Sequence, residues 1–200
     1  IQAICNAAVR LTLEGYTVLP EIEIPLTIGK AEMAFFKERI DTIAKNTMEK
    51  HHATFHYLSG TMIELPRAAL LAGELAEASE FFSFGTNDLT QTCLGFSRDD
   101  AEGKFLNDYL DQKILAENPF ITLDRKGVGQ LMKMAVASGR QTRPDLMIGI
   151  CGEHGGDANS IQFCHEIGLD FVSCSPYRVP IARLAAAQTA VNKGKNYLTR

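Results

Sequence analysis

Residues 56–76, HYLSGTMIELPRAALLAGELA, carry the pattern that decides the fold. Residues 56–65 are rich in β-formers and run out at Pro66. Leu65, Ala68, Ala69, Ala72, Leu75 and Ala76 then recur at helical spacing, behind a proline suited to the first turn of a helix. A strand that feeds straight into a helix, if repeated, predicts a parallel sheet covered by helices. The repeat is present: runs at 18–26, 81–89, 147–152 and 171–175 are similar, each closed by Pro, Gly, Asn, Asp or Ser, with helical patterns between them. Asp157 is placed to cap a helix over 158–167 that Gly168 ends, and Pro180 opens an Ala-rich helix to about residue 191.

An open doubly wound sheet and a closed barrel both fit this alternation. No glycine-rich dinucleotide fingerprint follows any of the strands, which argues against the first. Polar residues instead gather at the C-terminal ends of several strands, where barrel enzymes place their sites. A full barrel takes about 250 residues, and five strand-like runs are present after a helix-like segment at 2–14. The predicted fold is therefore α/β, the C-terminal part of a (β/α)8 TIM-type barrel with about five of eight strands. It forms a single domain over 1–200 that lacks the N-terminal strands. Residues 97–126 are the one long insertion, with a helix over 105–110, and are expected at the active-site end.

The net charge of −4 without a Lys/Arg cluster excludes a general nucleic-acid surface, because phosphate neutralisation needs clustered cations. No stretch approaches the roughly 18 to 20 apolar residues of a membrane span, and the first residues lack a signal-peptide layout. Cys5, Cys93, Cys151, Cys164 and Cys174 are odd in number and form no CxxC pair, so they read as reduced thiols inside a cell.

Three groups can carry chemistry. Glu64 and Asp88 each end a strand-like run, and two carboxylates in a barrel mouth are an oxygen-rich site of the kind Mg²⁺ takes. The plainer alternatives are that Asp88 caps the next helix and that Glu64 pairs with Arg67. Gly85, Thr86 and Asn87 leave backbone N–H groups free at a strand-to-helix turn, as anion sites require, although such turns are common. Cys151, followed by Gly152, Glu153 and His154, is a thiol at a strand end that could act as acid, base, nucleophile or ligand. Cys93, Cys164 and Cys174 read as inert, and His51, His52 and His56 as solvated.

The segments GTMIELPRAA (60–69), FFSFGTNDLTQ (81–91), GICGEHGGD (149–157) and FVSCSPYRVP (171–180) together resemble the phosphoenolpyruvate-utilising enzyme family, in order and spacing, over about residues 2–191. The continuation of Cys-Gly into Glu-His-Gly-Gly and the stretch GFSRDD (95–100) resemble one branch of it, whose members interconvert ATP, phosphate and pyruvate with AMP, diphosphate and phosphoenolpyruvate through a phosphohistidine. The resemblance implies that Glu64 and Asp88 ligate Mg²⁺, that Glu64, Gly85, Thr86, Asn87 and Asp88 contact pyruvate or phosphoenolpyruvate, and that Cys151 is the proton donor to C3 of the enolate. Glu153 and His154 stand close enough in sequence to tune that thiol. It also implies a homodimer in the cytoplasm, or alternatively in a plastid or glycosome. The phosphohistidine and ATP-binding domains and two phosphate-clamping arginines would lie outside this chain, so the chain alone is expected to be inactive. A non-catalytic pyruvate-binding module and an Mg²⁺-dependent lyase acting on pyruvate enolate are the rival readings.

Overall fold

A computed structural model describes residues 1–197, so the last three residues of the predicted domain lie outside the described residues. Helix α1 (Gln2–Leu13) precedes strand β1 (Glu21–Ile24), and α2 (Lys30–His51) leads to β2 (Leu58–Ile63). Next come α3 (Pro66–Leu70), α4 (Ala72–Ala76) and β3 (Phe81–Gly85). Helices α5 (Thr86–Leu94), α6 (Arg98–Lys104), α7 (Leu106–Asp111) and α8 (Val128–Thr142) separate β3 from β4 (Met147–Cys151). After a 3₁₀ turn at Glu153–Gly156, α9 (Ala158–Glu166) leads to β5 (Phe171–Val172) and then to α10 (Val179–Tyr197).

All four neighbouring pairs are parallel, and the sheet order is β1-β2-β3-β4-β5. That order separates the two candidate architectures. A doubly wound sheet reverses direction at a switch point and so acquires helices on both faces. Right-handed crossovers that always step the same way put every helix on one face and leave the other concave, which is the arc of a barrel.

The strand alternation is read out on those two faces. Ile63, Phe82, Phe84, Ile148 and Ile150 point outward and are buried with Ala68, Ala69, Ala72 and Leu75 of α3 and α4, Met132 and Ala135 of α8, and Phe163. The inner face sets glycines and polar side chains beside Met62, Phe81 and Phe171: the register aligns Glu23 with Gly60, Met62 with Ser83, Ser83 with Gly149, and Gly85 with Cys151. Its wall is tightly built at Gly60, where an added Cβ would stand 2.5 Å from the Phe81 carbonyl oxygen.

The five strands fall where the sequence places them, and each is shorter than its run. β1 ends before Leu26, whose left-handed φ of 54° turns the chain out of the sheet. The run at 81–89 contains both β3 and the first turn of α5, which starts at Thr86. The helix expected behind Pro66 bends at Leu71 into α3 and α4 while keeping its apolar stripe buried. The insertion at 97–126 holds two helices, α6 and α7, around a core of Ala101, Leu106 and Phe120. Asp157 caps α9 by accepting from the Ser160 N–H at 2.8 Å. Among the described residues no helix is long and apolar enough to cross a membrane.

The wall geometry makes a direct prediction. Gly60→Ala should lower unfolding stability by about 1–3 kcal/mol, because the atom it meets is backbone and cannot rotate away. Gly103→Ala, in exposed α6 with nothing within 4 Å, should be neutral or stabilising by up to ~1 kcal/mol. Urea midpoints of the two variants should fall on opposite sides of, or at most touch, the wild-type value.

Candidate active site

The C-terminal ends of β2, β3 and β4 meet at the mouth of the arc. Glu64 directly follows β2, is only 3% exposed, and accepts a 2.7 Å hydrogen bond at Oε1 from the Leu26 N–H. The left-handed turn at Leu26 therefore aims an N–H at the carboxylate. Gly85, the last residue of β3, makes room for it, since an added Cβ would lie 2.5 Å from Glu64 Oε2. Asp88 sits in the first turn of α5, is exposed, and accepts at Oδ1 from Gln91 Nε2 at 3.0 Å.

Both plainer alternatives for these carboxylates are set aside. Arg67 donates to the Ile28 carbonyl rather than to Glu64, and Asp88 lies inside α5 rather than at its N-cap. The two carboxyl groups lie near enough for Asp88 to raise the Glu64 acid. Burial first, and the Asp88 carboxyl after it, hold the Glu64 acid above its ordinary range, against the Leu26 N–H that favours its ionised form. Neither carboxylate has a basic partner among the described residues.

Asn87 is half-buried, with its Oδ1 atom buried and unpartnered, and stands against Gly152. Thr86 is fully buried and its hydroxyl contacts His154 Nδ1 at 2.7 Å. Cys151 ends β4 with Sγ 3.6 Å from the Phe84 carbonyl. Burial pushes its thiol up against the hydrogen bond with Ser83, which acts the other way, and the charges of Glu23, Glu64 and Asp88 add to the rise. The group is therefore a protonated thiol at neutral pH, suited to giving a proton rather than to standing as a thiolate nucleophile. Cys164, by contrast, is buried among apolar side chains and pushed up to about 12, as an inert core thiol should be.

His154 and Glu153 do not reach the thiol. His154 is buried between Thr86 and the Pro119 carbonyl, 2.9 Å from Nε2, and burial pulls its pKa down. Glu153 pairs with Arg98 of α6 at 2.6 Å. Their neighbours in space come from the 97–126 insertion and from α5.

One residue of the mouth escaped the sequence reading. Glu23 projects from β1 onto the inner face, its Oε1 is buried without a partner, and burial lifts its acid to about 6 against the Ser83 hydroxyl, with Glu64 and Glu21 adding to the rise. The alternation of Glu21 and Glu23 with Ile22 and Ile24 was the available signal, because it puts both glutamates on one face of a strand.

No set of three or more His, Cys, Asp or Glu side chains is arranged to hold a metal among the described residues. Two close carboxylates without a basic partner, beside the orphaned Asn87 oxygen, nevertheless fit a hard dication such as Mg²⁺, which commonly takes one or two carboxylates and completes its shell with water and substrate oxygens.

The fold and mouth define a segment of a (β/α) barrel with an acidic centre and a protonated thiol on its rim. In line with the fold, a citrate lyase from Burkholderia xenovorans LB400 superposes with a TM-score of 0.56 at 16% identity, covering 90% of this chain and 53% of that one. The family model described as PEP-utilising enzyme, PEP-binding domain, matches residues 1–191, and the chain belongs to that family. The chain is 56% identical over 192 residues to the pyruvate, phosphate dikinase of Clostridium symbiosum, covering 96% of this chain and 22% of that protein. It is 55% identical over 191 residues to the chloroplastic pyruvate, phosphate dikinase of Flaveria pringlei (96% and 20%) and 52% identical over 196 residues to that of Giardia intestinalis (98% and 22%). The chain thus spans about a fifth of the length of the curated relatives it matches.

The half-buried acid on β1 can be tested through stability. An acid whose folded pKa lies near 6, above the ordinary value of 4.5, costs the fold nothing below pH 4.5. Its penalty builds as the pH rises through about 6 and is complete above it. Glu23→Gln should therefore raise the melting temperature at pH 7.5, by the equivalent of about 1 kcal/mol once solvent screening is allowed for. At pH 4 it should leave the melting temperature unchanged. A pH-independent effect, measured with chelator present, would contradict the assignment.

Proposed function

We propose that this chain is the phosphoenolpyruvate/pyruvate-binding part of a pyruvate, phosphate dikinase. In that reading it forms one domain of a longer, homodimeric cytoplasmic polypeptide whose phosphohistidine and ATP-binding domains lie elsewhere in the same chain. The observation that carries the reading is the convergence of Glu64, Asp88 and the protonated Cys151 thiol on one barrel mouth, in a chain 52–56% identical to proteins of that name. Neither rival gains comparable support. The likeness to a citrate lyase, at 16% identity, speaks to fold alone.

The chemistry follows from the side chains. Transfer of the phosphoryl group from phosphoenolpyruvate to a histidine leaves the enolate of pyruvate, with charge on its oxygen and a nucleophilic C3. Mg²⁺, held by Glu64 and Asp88, would supply Lewis-acid stabilisation of that oxygen. The Leu26 N–H and the space above Gly85 hold the Glu64 carboxylate in place for this role. Asn87, half-buried against Gly152 in the first turn of α5, has amide N–H groups that can donate to the carboxylate or phosphate oxygens of the substrate. The Cys151 Sγ–H bond breaks as the C3–H bond forms, giving pyruvate and a thiolate. In the reverse direction the thiolate takes a methyl proton and becomes the thiol again, and the enolate oxygen takes the phosphoryl group as its bond to the histidine breaks.

Two measurements on the full-length polypeptide test this. Cys151→Ala should slow exchange of the pyruvate methyl hydrogens with deuterated water by about 10² to 10⁴-fold, the usual range for a general acid–base group. Cys164→Ala should change stability alone. Wild-type exchange in Cys151→Ala would remove the thiol from the mechanism. Separately, Glu64→Gln and Asp88→Asn should each raise the Mg²⁺ concentration needed in the pyruvate half-reaction while sparing histidine phosphorylation by ATP, because a neutral amide is a poor replacement for a hard anionic ligand. Unchanged Mg²⁺ dependence in both variants would refute the metal assignment.

A further inference from the structure

His154 is a fully buried imidazole that the chemistry above does not use, and both of its ring nitrogens are engaged. Nε2 lies 2.9 Å from the Pro119 carbonyl oxygen, and Nδ1 lies 2.7 Å from the Thr86 hydroxyl. A carbonyl only accepts, so Nε2 carries the proton. The neutral ring then presents a bare Nδ1, and Thr86 must donate to it. The single hydroxyl proton of Thr86 is committed there, because the alternative acceptor, the Cys151 carbonyl, stands at 3.5 Å.

Thr86 is the first residue of α5, and the next two residues are Asn87 and Asp88. The tautomer of His154 thereby fixes the start of the helix that presents those two side chains to the mouth. A second chain of contacts runs beside it. Asp88 Oδ1 accepts from Gln91 Nε2 at 3.0 Å, Gln91 Oε1 accepts from the Arg98 backbone N–H at 2.8 Å, and Arg98 pairs with Glu153 at 2.6 Å. The adjacent residues Glu153 and His154 thus clasp the 97–126 insertion at Arg98 and at Pro119, and both lines of contact end on the first turn of α5.

We infer that His154 is a positioning residue: acting through Thr86 and anchored on Pro119, it sets where Asn87 and Asp88 stand in the pyruvate site. The inference deepens the proposed function and rests on it for the identity of the ligand, but the clasp itself is a property of the chain.

The substitutions follow from the bonds. Gln at position 154 offers a donor and an acceptor on one planar amide, whereas Leu offers neither. Thr86→Val keeps the shape and removes the hydroxyl. In the full-length polypeptide, His154→Leu and Thr86→Val should each raise the pyruvate KM by about tenfold, the size expected when a buried polar group loses its partner. His154→Gln should stay within about threefold of wild type, and histidine phosphorylation by ATP should be unchanged in all three. Because one residue acts through the other, the double variant should be no worse than either single one. A purely structural histidine would lower the melting temperature and leave that coupling at zero.

Should His154→Leu fail to fold, Thr86→Val and His154→Gln still decide, since a wild-type KM in Thr86→Val overturns the inference. Multiplying effects in the double variant overturn it too. Selective ¹⁵N labelling of histidine gives a readout independent of activity: the His154 shifts should report a protonated Nε2 and a bare Nδ1, and the reverse pattern would sink the proposal. Tautomer as expected in a polypeptide that never turns over pyruvate would count against the functional reading and for the clasp.

Discussion

Strand β3 is buried on both faces, and the rest of the molecule depends on how its backbone is paired. A buried strand cannot leave N–H and C=O groups unpartnered, so Phe81–Gly85 must find ladders on both sides. It finds β2 and β4 in parallel, aligning Ile63 with Phe84, Phe84 with Ile150, and Gly85 with Cys151. A register slip of one residue would turn the outward Phe82 and Phe84 into the mouth and bury Ser83 under the helices. The same ladder that makes the hydrophobic layer thereby carries Glu64, the first turn of α5 and Cys151 to one height on the concave side.

That mouth is held under electrostatic tension. Burial raises the cost of ionising Glu23, Glu64 and Cys151, and neighbouring carboxylates add to it: Glu64 at Glu23, Asp88 at Glu64, and all three acids at the thiol. Apolar residues of similar volume would pack this surface with less strain, so the acids cost stability that the outer layer of aliphatic and aromatic side chains must offset. The devices around them are specific: a leucine in a left-handed turn to bring one N–H to Glu64, and a glycine on β3 where any side chain would displace that carboxylate. Such departures are concentrated at the mouth, in a wall otherwise built of regular ladder.

The insertion between β3 and β4 belongs to this arrangement. It has its own small core, yet it is fastened to the mouth by polar contacts at Arg98, Pro119 and Leu123, the last donating its N–H to Ser160 at 3.0 Å. A segment joined by directional bonds rather than by a broad apolar face keeps a defined position over the strand ends at modest energetic cost.

The sequence by itself determined the order of strands and helices, because period-two and helical spacing are local properties that survive without knowledge of partners. It also determined which residues stand at strand ends, and so identified Glu64, the 85–88 turn and Cys151 as candidates. Where a strand run flowed into a helix, as at 81–89, its composition could not mark the boundary, since the ladder stops where pairing stops. Tertiary structure alone decided the rest. Glu23 became part of the mouth through its register opposite Gly60, and Leu26 meets Glu64 across 38 residues. His154 meets Thr86 across 68 residues and turns away from the thiol three positions before it. Such contacts depend on which strands lie side by side and at what height, and neighbours along the chain carry no record of that.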